Sequence, residues 1–388
     1  PPAVLSIVRQ SPASATVTSA IASLVFRVTF SENVAGVDAD DFVLAATGTA
    51  AGSIAGVSAG SGTIFDVTVN ALAGVGTLRL DLKSSGTGIA DPTGNAAAGY
   101  IAGQTYSRVL SIAGSGVWIS TAASGLWSDA PNWQDATIPN ANTQSANFST
   151  LDLTDNVTVH LDSARTVNSM TFGDTDTTSA ASWLVDNNGV GGNTLTLAGS
   201  SPTITVNALG ADATATISAR LAGTGGLTKQ GPGTLVLSGA NTMTGAWAVL
   251  AGGVRLDAGG TLTATTASAS STGSQIIVNG GSFTASGLTT LGAVGGGVTV
   301  NSGAVALNGG VTIATDSGTL RVNGGTLSAG ALSITRNSST VDNYAAGFIF
   351  AGGTSTVTTI TLGTGNSYGS LSVEGGALTA SGAIVVGS

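Results

Sequence analysis

A short unit that recurs along the second half of the chain constrains the fold more than any other feature. Each copy has a turn that ends in glycine, followed by a strand in which apolar and polar residues alternate. The copies lie at positions 251–256, 279–283, 301–305, 323–327, 351–353 and 374–378. The last glycines of successive copies are separated by roughly 22 to 28 residues, and the second and third intervals are equal. A unit of this length cannot bury an apolar face alone, so neighbouring units must stack.

The period predicts a right-handed parallel β-helix (β-solenoid) over residues 151–388, with two or three short strands in each coil. A glycine at a fixed place in each coil predicts a corner with positive φ. Asn279, Asn301 and Asn323 hold the same register. We therefore expect their side-chain amides to hydrogen-bond to one another along a column. About ten coils at a spacing of ~4.8 Å would form a rod on the order of 50 Å long.

The composition favours strands over helices. Charged residues make up 8% of the chain, and two Glu and two Lys residues cannot supply the exposed faces of several helices. Hydrophobic residues make up 42% and alternate with polar ones, which argues against disorder. The sequence therefore predicts an all-β protein.

Charge and cysteine content exclude several classes of function. The net charge of −9 and the absence of basic runs argue against nucleic-acid binding. A chain without cysteine has no disulfide, zinc–thiolate site or catalytic thiol. No apolar run approaches the ~20 residues of a membrane span. No signal peptide is visible at the start, so we expect any export signal to lie outside this sequence.

Residues 1–110 predict a separate β-sandwich, because short alternating runs are separated there by Gly, Ser, Asn and Asp. The predicted strands are 4–9, 24–30, 42–46, 63–69, 76–82 and 105–112. The segments VTFSENV (28–34), GVDADDF (36–42) and GIADPTGN (88–95) resemble bacterial Ig-like modules of large secreted surface proteins. That resemblance implies a spacer or adhesion module.

The same unit contains the candidate metal site, Asp38, Asp40, Asp41, Asp91 and Asn95. Together these side chains could supply several of the six to eight oxygen ligands that calcium requires. The alternative is that Asp and Asn lie in turns because their side chains hydrogen-bond the local backbone. Their spacing does not match a dedicated calcium loop such as the EF-hand. Calcium is the one cofactor that the sequence suggests.

Residues 111–150 predict a tryptophan-rich junction. This short segment contains Trp118, Trp127 and Trp133, three of the five tryptophans in the chain. They could form a carbohydrate-stacking platform, or they could plug the open end of the solenoid, whose first coil would otherwise expose its core. We favour the plug because the segment precedes the repeats. It is similar to stretches that precede the repeats of large autotransporter-like proteins.

The segment GGLTKQGPGTLVLSGANTMTG at positions 225–245 resembles the autotransporter-associated β-strand repeat of bacterial surface proteins. The resemblance implies an extracellular β-helix. It does not specify an activity, because that class includes adhesins, proteases and stalks.

A polysaccharide-processing lyase or hydrolase is the alternative function, since β-helices can carry such sites. These sites need several carboxylates gathered on one outer face. The carboxylates here look like turn residues or are spread over different coils: Asp174, Asp176, Asp186, Asp257, Asp316, Asp342 and Glu374. We therefore predict that the protein is not an enzyme.

His160 is the only histidine, and strand alternation places it opposite Val157 and Val159, towards solvent. Asp162 and Ser163 are neighbours on the chain and point to opposite faces, which argues against a Ser/His/Asp triad. The cluster of Tyr344, Phe348 and Phe350 could be a contact patch, but we favour a place in the core.

The sequence as a whole predicts an extracellular structural or adhesive protein of the bacterial cell surface. It would act as a stiff stalk, or as a subunit of a surface layer, sheath or filament. The expected partners are other copies of the chain or neighbouring surface proteins, and glycans are a further candidate. Because the sequence stops within a predicted strand, we expect a longer polypeptide or a covering subunit.

Overall fold

The computed structural model describes residues 1–18, 21–58, 62–109, 114–199, 201–292, 294–313, 317–334, 347–363 and 369–387. The chain divides into two compact units, Pro1–Ile112 and Ala113–Ser388, and each has its own buried apolar core. Helical structure in the described residues is confined to three 3-10 turns, Ala39–Asp41, Ala130–Asn132 and Gln134–Ala136. The all-β prediction is confirmed.

The first unit consists of two four-stranded sheets, as in a small β-sandwich. One sheet has the strand order Val4–Ser11, Leu24–Val34, Gly62–Ala73 and Ala51–Val57. The other has the order Thr16–Thr18, Thr105–Val109, Gly76–Leu82 and Phe42–Ala46. Thr16–Thr18 and Ala51–Val57 are not among the predicted strands. Glycines at positions 52 and 56 are typical of a turn, so the sequence pattern does not indicate the strand Ala51–Val57.

The second unit is a parallel β-solenoid of about ten turns from residue 145. Sheet A runs through Ser124–Leu126, Val157–His160, Trp183–Asp186, Thr214–Ile217, Thr234–Leu237, Gly253–Asp257, Gln275–Ala285, Gly297–Leu307, Thr319–Val322, Gly347–Phe350 and Leu371–Val373. Sheet C runs through Gly116–Val117, Ser145–Phe148, Ser169–Phe172, Thr203–Val206, Leu227–Gln230, Trp247–Val249, Ala267–Ala269, Thr289–Leu291, Val311–Ile313, Leu332–Ile334, Ile360–Leu362 and Ile384–Val386.

A third series of strands lies between sheets A and C along the chain. In the first coils it is a three-stranded sheet of Arg165–Val167, Thr194–Leu197 and Arg220–Ala222. Farther along, sheet B consists of Thr261–Ala264, the second halves of Gln275–Ala285 and Gly297–Leu307, then Thr326–Ala329, Thr354–Val357 and Ala377–Ala380. Each later coil therefore contains three strands.

Strand alternation decides which side chains form the core. In sheet C, for example, Val311 and Ile313 are fully buried and Thr312 between them points outwards. Like residues stack from coil to coil, as Val298 and Leu320 do in sheet A. Phe348 and Phe350 are buried in the same core, which confirms their predicted place. Tyr344, Asp316 and Asp342 lie outside the described residues.

The corner between sheets A and B is a column of glycines, as the period predicts. The glycines stack in the order Gly260, Gly281, Gly303, Gly325, Gly353 and Gly376. In the last four of them φ is positive, between 69° and 89°, and a Cβ would lie 2.2–2.5 Å from the glycine carbonyl oxygen one coil below. A side chain therefore has neither the backbone conformation nor the space at this corner.

The sequence-based alignment of the first repeat was wrong. It aligned Gly253 with Gly281, whereas Gly253 begins a strand of sheet A and pairs with Gln275. The corner glycine below Gly281 is Gly260, so the first interval is close in length to the two that follow it. The error arose because Gly252–Gly253 and Gly280–Gly281 have the same local sequence but lie on different sides of the coil.

The predicted asparagine column is confirmed. Asn301 donates from Nδ2 to Oδ1 of Asn279 at 2.7 Å, and Asn323 donates likewise to Asn301 at 2.8 Å. Oδ1 of Asn323 in turn accepts a hydrogen bond from Nε of Arg321 at 2.7 Å. The asparagine column runs beside the column of corner glycines and links three successive coils.

We expect Gly303→Ala to lower the free energy of unfolding by about 2 kcal/mol or more, because φ is +89° and the added Cβ would meet the carbonyl of Gly281. Gly253→Ala is the matched control, since its Cβ would lie 3.5 Å from the nearest atom, which is ordinary contact. Urea denaturation followed by circular dichroism measures both. Equal midpoints for the two variants would contradict the corner assignment.

Candidate functional site

The first part of the candidate metal site forms a capping arrangement around the 3-10 turn Ala39–Asp41. Oδ1 of Asp38 accepts from the amide of Asp40 at 2.9 Å, and Oδ2 of Asp41 accepts from the amide of Asp38 at 2.7 Å. Asp41 is buried, and this burial raises the pKa of its carboxyl above the ordinary value. These contacts are those of an N-cap.

The second part forms a turn around Asp91. Its carboxylate accepts hydrogen bonds from the amides of Thr93 and Asn95, the Thr93 hydroxyl and Nδ2 of Asn95, at 2.7–2.9 Å. The hydrogen bonds from Asn95 and Thr93 lower the pKa of Asp91 well below its ordinary value. Both carboxylate oxygens are therefore engaged in turn contacts of the kind that Asx residues make.

Calcium binding by Asp38, Asp40, Asp41, Asp91 and Asn95 stays a prediction. Within the described ranges, no three His, Cys, Asp or Glu residues are grouped so that they could hold a metal ion. If calcium binds, calorimetric titration will give a saturable signal, and Asp40→Asn will remove that signal. The control is Asp155→Asn, which changes an exposed acidic residue of the second unit and should leave the signal intact. A featureless titration would contradict the prediction.

The three junction tryptophans are buried, as expected of a plug and not of a carbohydrate platform. Trp118, Trp127 and Trp133 are 0–1% exposed. The ring of Trp133 packs edge-on against Trp118, with 5.2 Å between ring centroids, and contacts Trp127 and Phe148. Nε1 of Trp133 donates to the carbonyl of Trp127, and Nε1 of Trp127 to the carbonyl of Pro139. A buried ring with its N–H paired is a structural element.

His160 lies on the outer side of sheet A and makes a contact that the sequence did not predict. Its Nδ1 lies 2.7 Å from Oδ1 of Asp186, its pairing partner on the next strand of the sheet. Asp162 instead accepts hydrogen bonds from Ser128 and Arg165. The only signal for the His160–Asp186 pair is the coil length of 26 residues between them, which local spacing does not show.

The Asp162 contacts tie the junction to the first coils. Burial raises the pKa of Asp162, but the hydrogen bonds from Ser128 and Arg165, together with the charge of Arg165, bring it below the ordinary value. Burial and the charge of Asp162 raise the pKa of Asp129. Arg165 is largely buried and forms its ion pair with Asp162 at 3.0 Å. The group holds the junction segment against the solenoid.

Carboxylates of the later coils form local ion pairs. Asp257 accepts two hydrogen bonds from Arg255 at 2.9 and 3.0 Å, and Glu374 lies 3.6 Å from Arg321. Such pairs neutralise charge on sheet A and do not present two carboxylates to one substrate, as glycoside hydrolysis requires.

Lys229 is the most unusual ionisable residue, because it points into the solenoid and is 0% exposed. Its Nζ donates to the carbonyls of Gln230, Gly231 and Ala251 at 2.8–3.1 Å. These carbonyls belong to two successive coils at the turn between sheets C and A. The ammonium group thereby donates all three of its hydrogen bonds to backbone carbonyls at this turn. Burial lowers the pKa of Lys229 to about 8.

Asn241 links coils in a similar way where strand structure is interrupted. Its Oδ1 accepts from the amide of Leu221 at 2.8 Å, and its Nδ2 donates to the carbonyl of Thr261 at 2.9 Å. The hydroxyl of Thr261 donates back to the carbonyl of Asn241 at 2.8 Å. One buried side chain therefore connects the coil before it with the coil after it.

Lys229 and Asn241 both lie in the segment that comparison with protein families singles out. Residues 227–256 match the passenger-associated-transport-repeat. The matched segment covers the strands Leu227–Gln230, Thr234–Leu237 and Trp247–Val249 and nearly all of Gly253–Asp257, which is about one and a half coils. The resemblance to autotransporter-associated β-helix surface proteins is thereby confirmed.

A similar protein supports the same resemblance to autotransporter surface proteins. The chain is 40% identical over 133 residues to the "Adhesin BmaC autotransporter" of Brucella suis biovar 1 (strain 1330). The match covers 34% of this chain and 3% of that protein, so the chain spans a small part of the relative's length. No solved structure matches. Among the described residues, no helix is long and apolar enough to cross a membrane.

We expect Lys229→Met to lower the free energy of unfolding by about 1–3 kcal/mol at pH 7, because it removes three hydrogen bonds between the buried ammonium group and backbone carbonyls. The lowered pKa of Lys229 also makes the free energy of unfolding depend on pH. Between pH 8 and the ordinary value of 10.5 the folded chain binds fewer protons than the unfolded chain, so Lys229 makes stability rise with pH. Urea midpoints from pH 7 to 10 for wild type and Lys229→Met measure this difference.

The matched control is Lys83→Met, because Lys83 is exposed in the first unit. A Lys229→Met variant whose stability parallels that of the wild type at every pH would show that Lys229 does not titrate in this range.

Proposed function

We propose that the chain is an adhesive, passenger-like segment of a bacterial cell-surface protein, in which the solenoid acts as a stiff stalk. The observation that carries the proposal is the passenger-associated-transport-repeat at 227–256, built into an uninterrupted stack of coils. The named adhesin relative supports adhesion and an extracellular location. The buried Trp cluster and Lys229 then have structural roles, since they complete the stack.

The solenoid geometry supports a stalk in physical terms. Each coil is hydrogen-bonded to the next in parallel register along sheets A and C, so bending the stack would break several ladders at once. Large buried side chains fill the interior of the first coils, among them Phe148, Phe172 and Trp183. A stiff element of this kind can hold a binding surface away from a cell.

The ion pairs described above argue against the alternative, a polysaccharide-processing enzyme. Asp257 and Glu374 each face a guanidinium group. Incubation with a panel of polysaccharides should therefore release no reducing ends or unsaturated uronates. Release of either product at a rate proportional to the protein concentration would favour the enzyme.

Adhesion is tested with the purified chain coupled to fluorescent beads. We expect such beads to adhere to cultured epithelial cells or to an extracellular-matrix coating at least several-fold better than beads that carry albumin. Electron microscopy of the same preparation should show isolated particles. Adherence equal to that of albumin beads on every surface would overturn the proposal. Ordered fibres or arrays in the micrographs would indicate that the chain is a filament subunit and not a stalk.

A further inference from the structure

The outer side of sheet B carries no charge over six consecutive strands. Its outward residues are all Ser, Thr or Ala: Thr261, Thr263, Ser282, Thr284, Ala304, Ala306, Thr326, Ser328, Thr354, Thr356, Ala377 and Thr379. They stand in two columns because each strand pairs in register with the next, as Ala304 does with Thr326 and Ala306 with Ser328. The net charge of −9 therefore resides elsewhere.

This surface contains a groove of about 350 Å³. Ala304 and Ala306, the smallest outward side chains in the middle of the columns, form its floor. Hydroxyl side chains border the floor on both sides, Ser282 and Thr284 from the coil before, and Thr326 and Ser328 from the coil after. The volume lies within the ~300–1,000 Å³ of small-molecule sites.

We propose that this groove, the sheet B groove, binds a segment of an uncharged polysaccharide. The proposal rests on the adhesive function proposed above and names its ligand class. The groove offers hydroxyl groups and methyl groups side by side, which match the hydroxyls and C–H faces of a neutral sugar. Ser282 and Thr284 lie on one side of the floor and Thr326 and Ser328 on the other, so a sugar unit on the floor can contact hydroxyl groups of both neighbouring coils.

The absence of charged residues in the groove favours a neutral ligand over an acidic one. None of the residues that line the groove is ionisable. An acidic glycan would lose the hydration of its carboxylates there without gaining a cationic partner. The excess of acidic residues in the chain would also repel it at low ionic strength.

The size of the groove favours a glycan over a second copy of the chain. The groove is lined by ten residues. Each partner in a typical protein interface contributes roughly 20–30 residues. The groove lining also contains no aromatic ring for stacking, so we expect weak binding by one groove.

The test is native affinity electrophoresis in gels that contain hydroxyethylcellulose, dextran, mannan or xyloglucan, with polygalacturonate as the acidic comparison. We expect at least one neutral polymer to retard the chain, and polygalacturonate to have no effect. Ala306→Asp should weaken the retardation at least tenfold, because it places a charge on the floor of the groove. Ala248→Asp, an outward alanine on sheet C, is the matched control and should behave as the wild type.

Three results would overturn the proposal: no retardation by any neutral polymer, equal retardation of Ala306→Asp and wild type, or a dimer in sedimentation velocity that Ala306→Asp abolishes. The last would assign the face to a second copy. The bead assay separates the two proposals. If beads adhere and Ala306→Asp beads adhere equally, the groove is refuted and adhesion stands. If beads do not adhere but a neutral polymer retards the chain, adhesion is refuted and the groove stands.

Discussion

The close stacking of successive coils is the constraint on which the rest of the solenoid depends. Backbone hydrogen bonds hold parallel strands at ~4.8 Å, and at that spacing each corner passes directly over a carbonyl of the coil below. A Cβ on Gly325 would lie 2.5 Å from the carbonyl oxygen of Gly303. Glycine is therefore required at this corner in the later coils, from Gly303 to Gly376. The high glycine content, 58 of 388 residues, reflects this requirement in part.

At two of the turns between sheets, polar side chains hydrogen-bond to backbone groups of neighbouring coils. Lys229 satisfies three carbonyls from two coils, and Asn241 joins the amide of Leu221 to the carbonyl of Thr261. Both residues lie within the passenger-associated-transport-repeat. Within this matched segment, two polar side chains therefore complete the turns of the solenoid.

Features that repeat with the coil could be predicted from the sequence, and features that join unequal coils could not. The Asn279–Asn301–Asn323 column follows from two equal intervals of 22 residues. Burial of the tryptophans follows from the need to cover the first coil. The His160–Asp186 contact was missed because that coil has 26 residues and no neighbour of equal length to reveal its register. Gly253 was misplaced because a strand glycine and a corner glycine have the same local sequence.

The asparagine column has a direction. Every amide N–H points towards the N-terminal coil and every amide oxygen towards the C-terminal coil, so the dipoles of the three side chains add as peptide dipoles do in a helix. Its negative end, Oδ1 of Asn323, receives the guanidinium of Arg321. The column is therefore a short macrodipole along the solenoid axis, with a cation at its negative end.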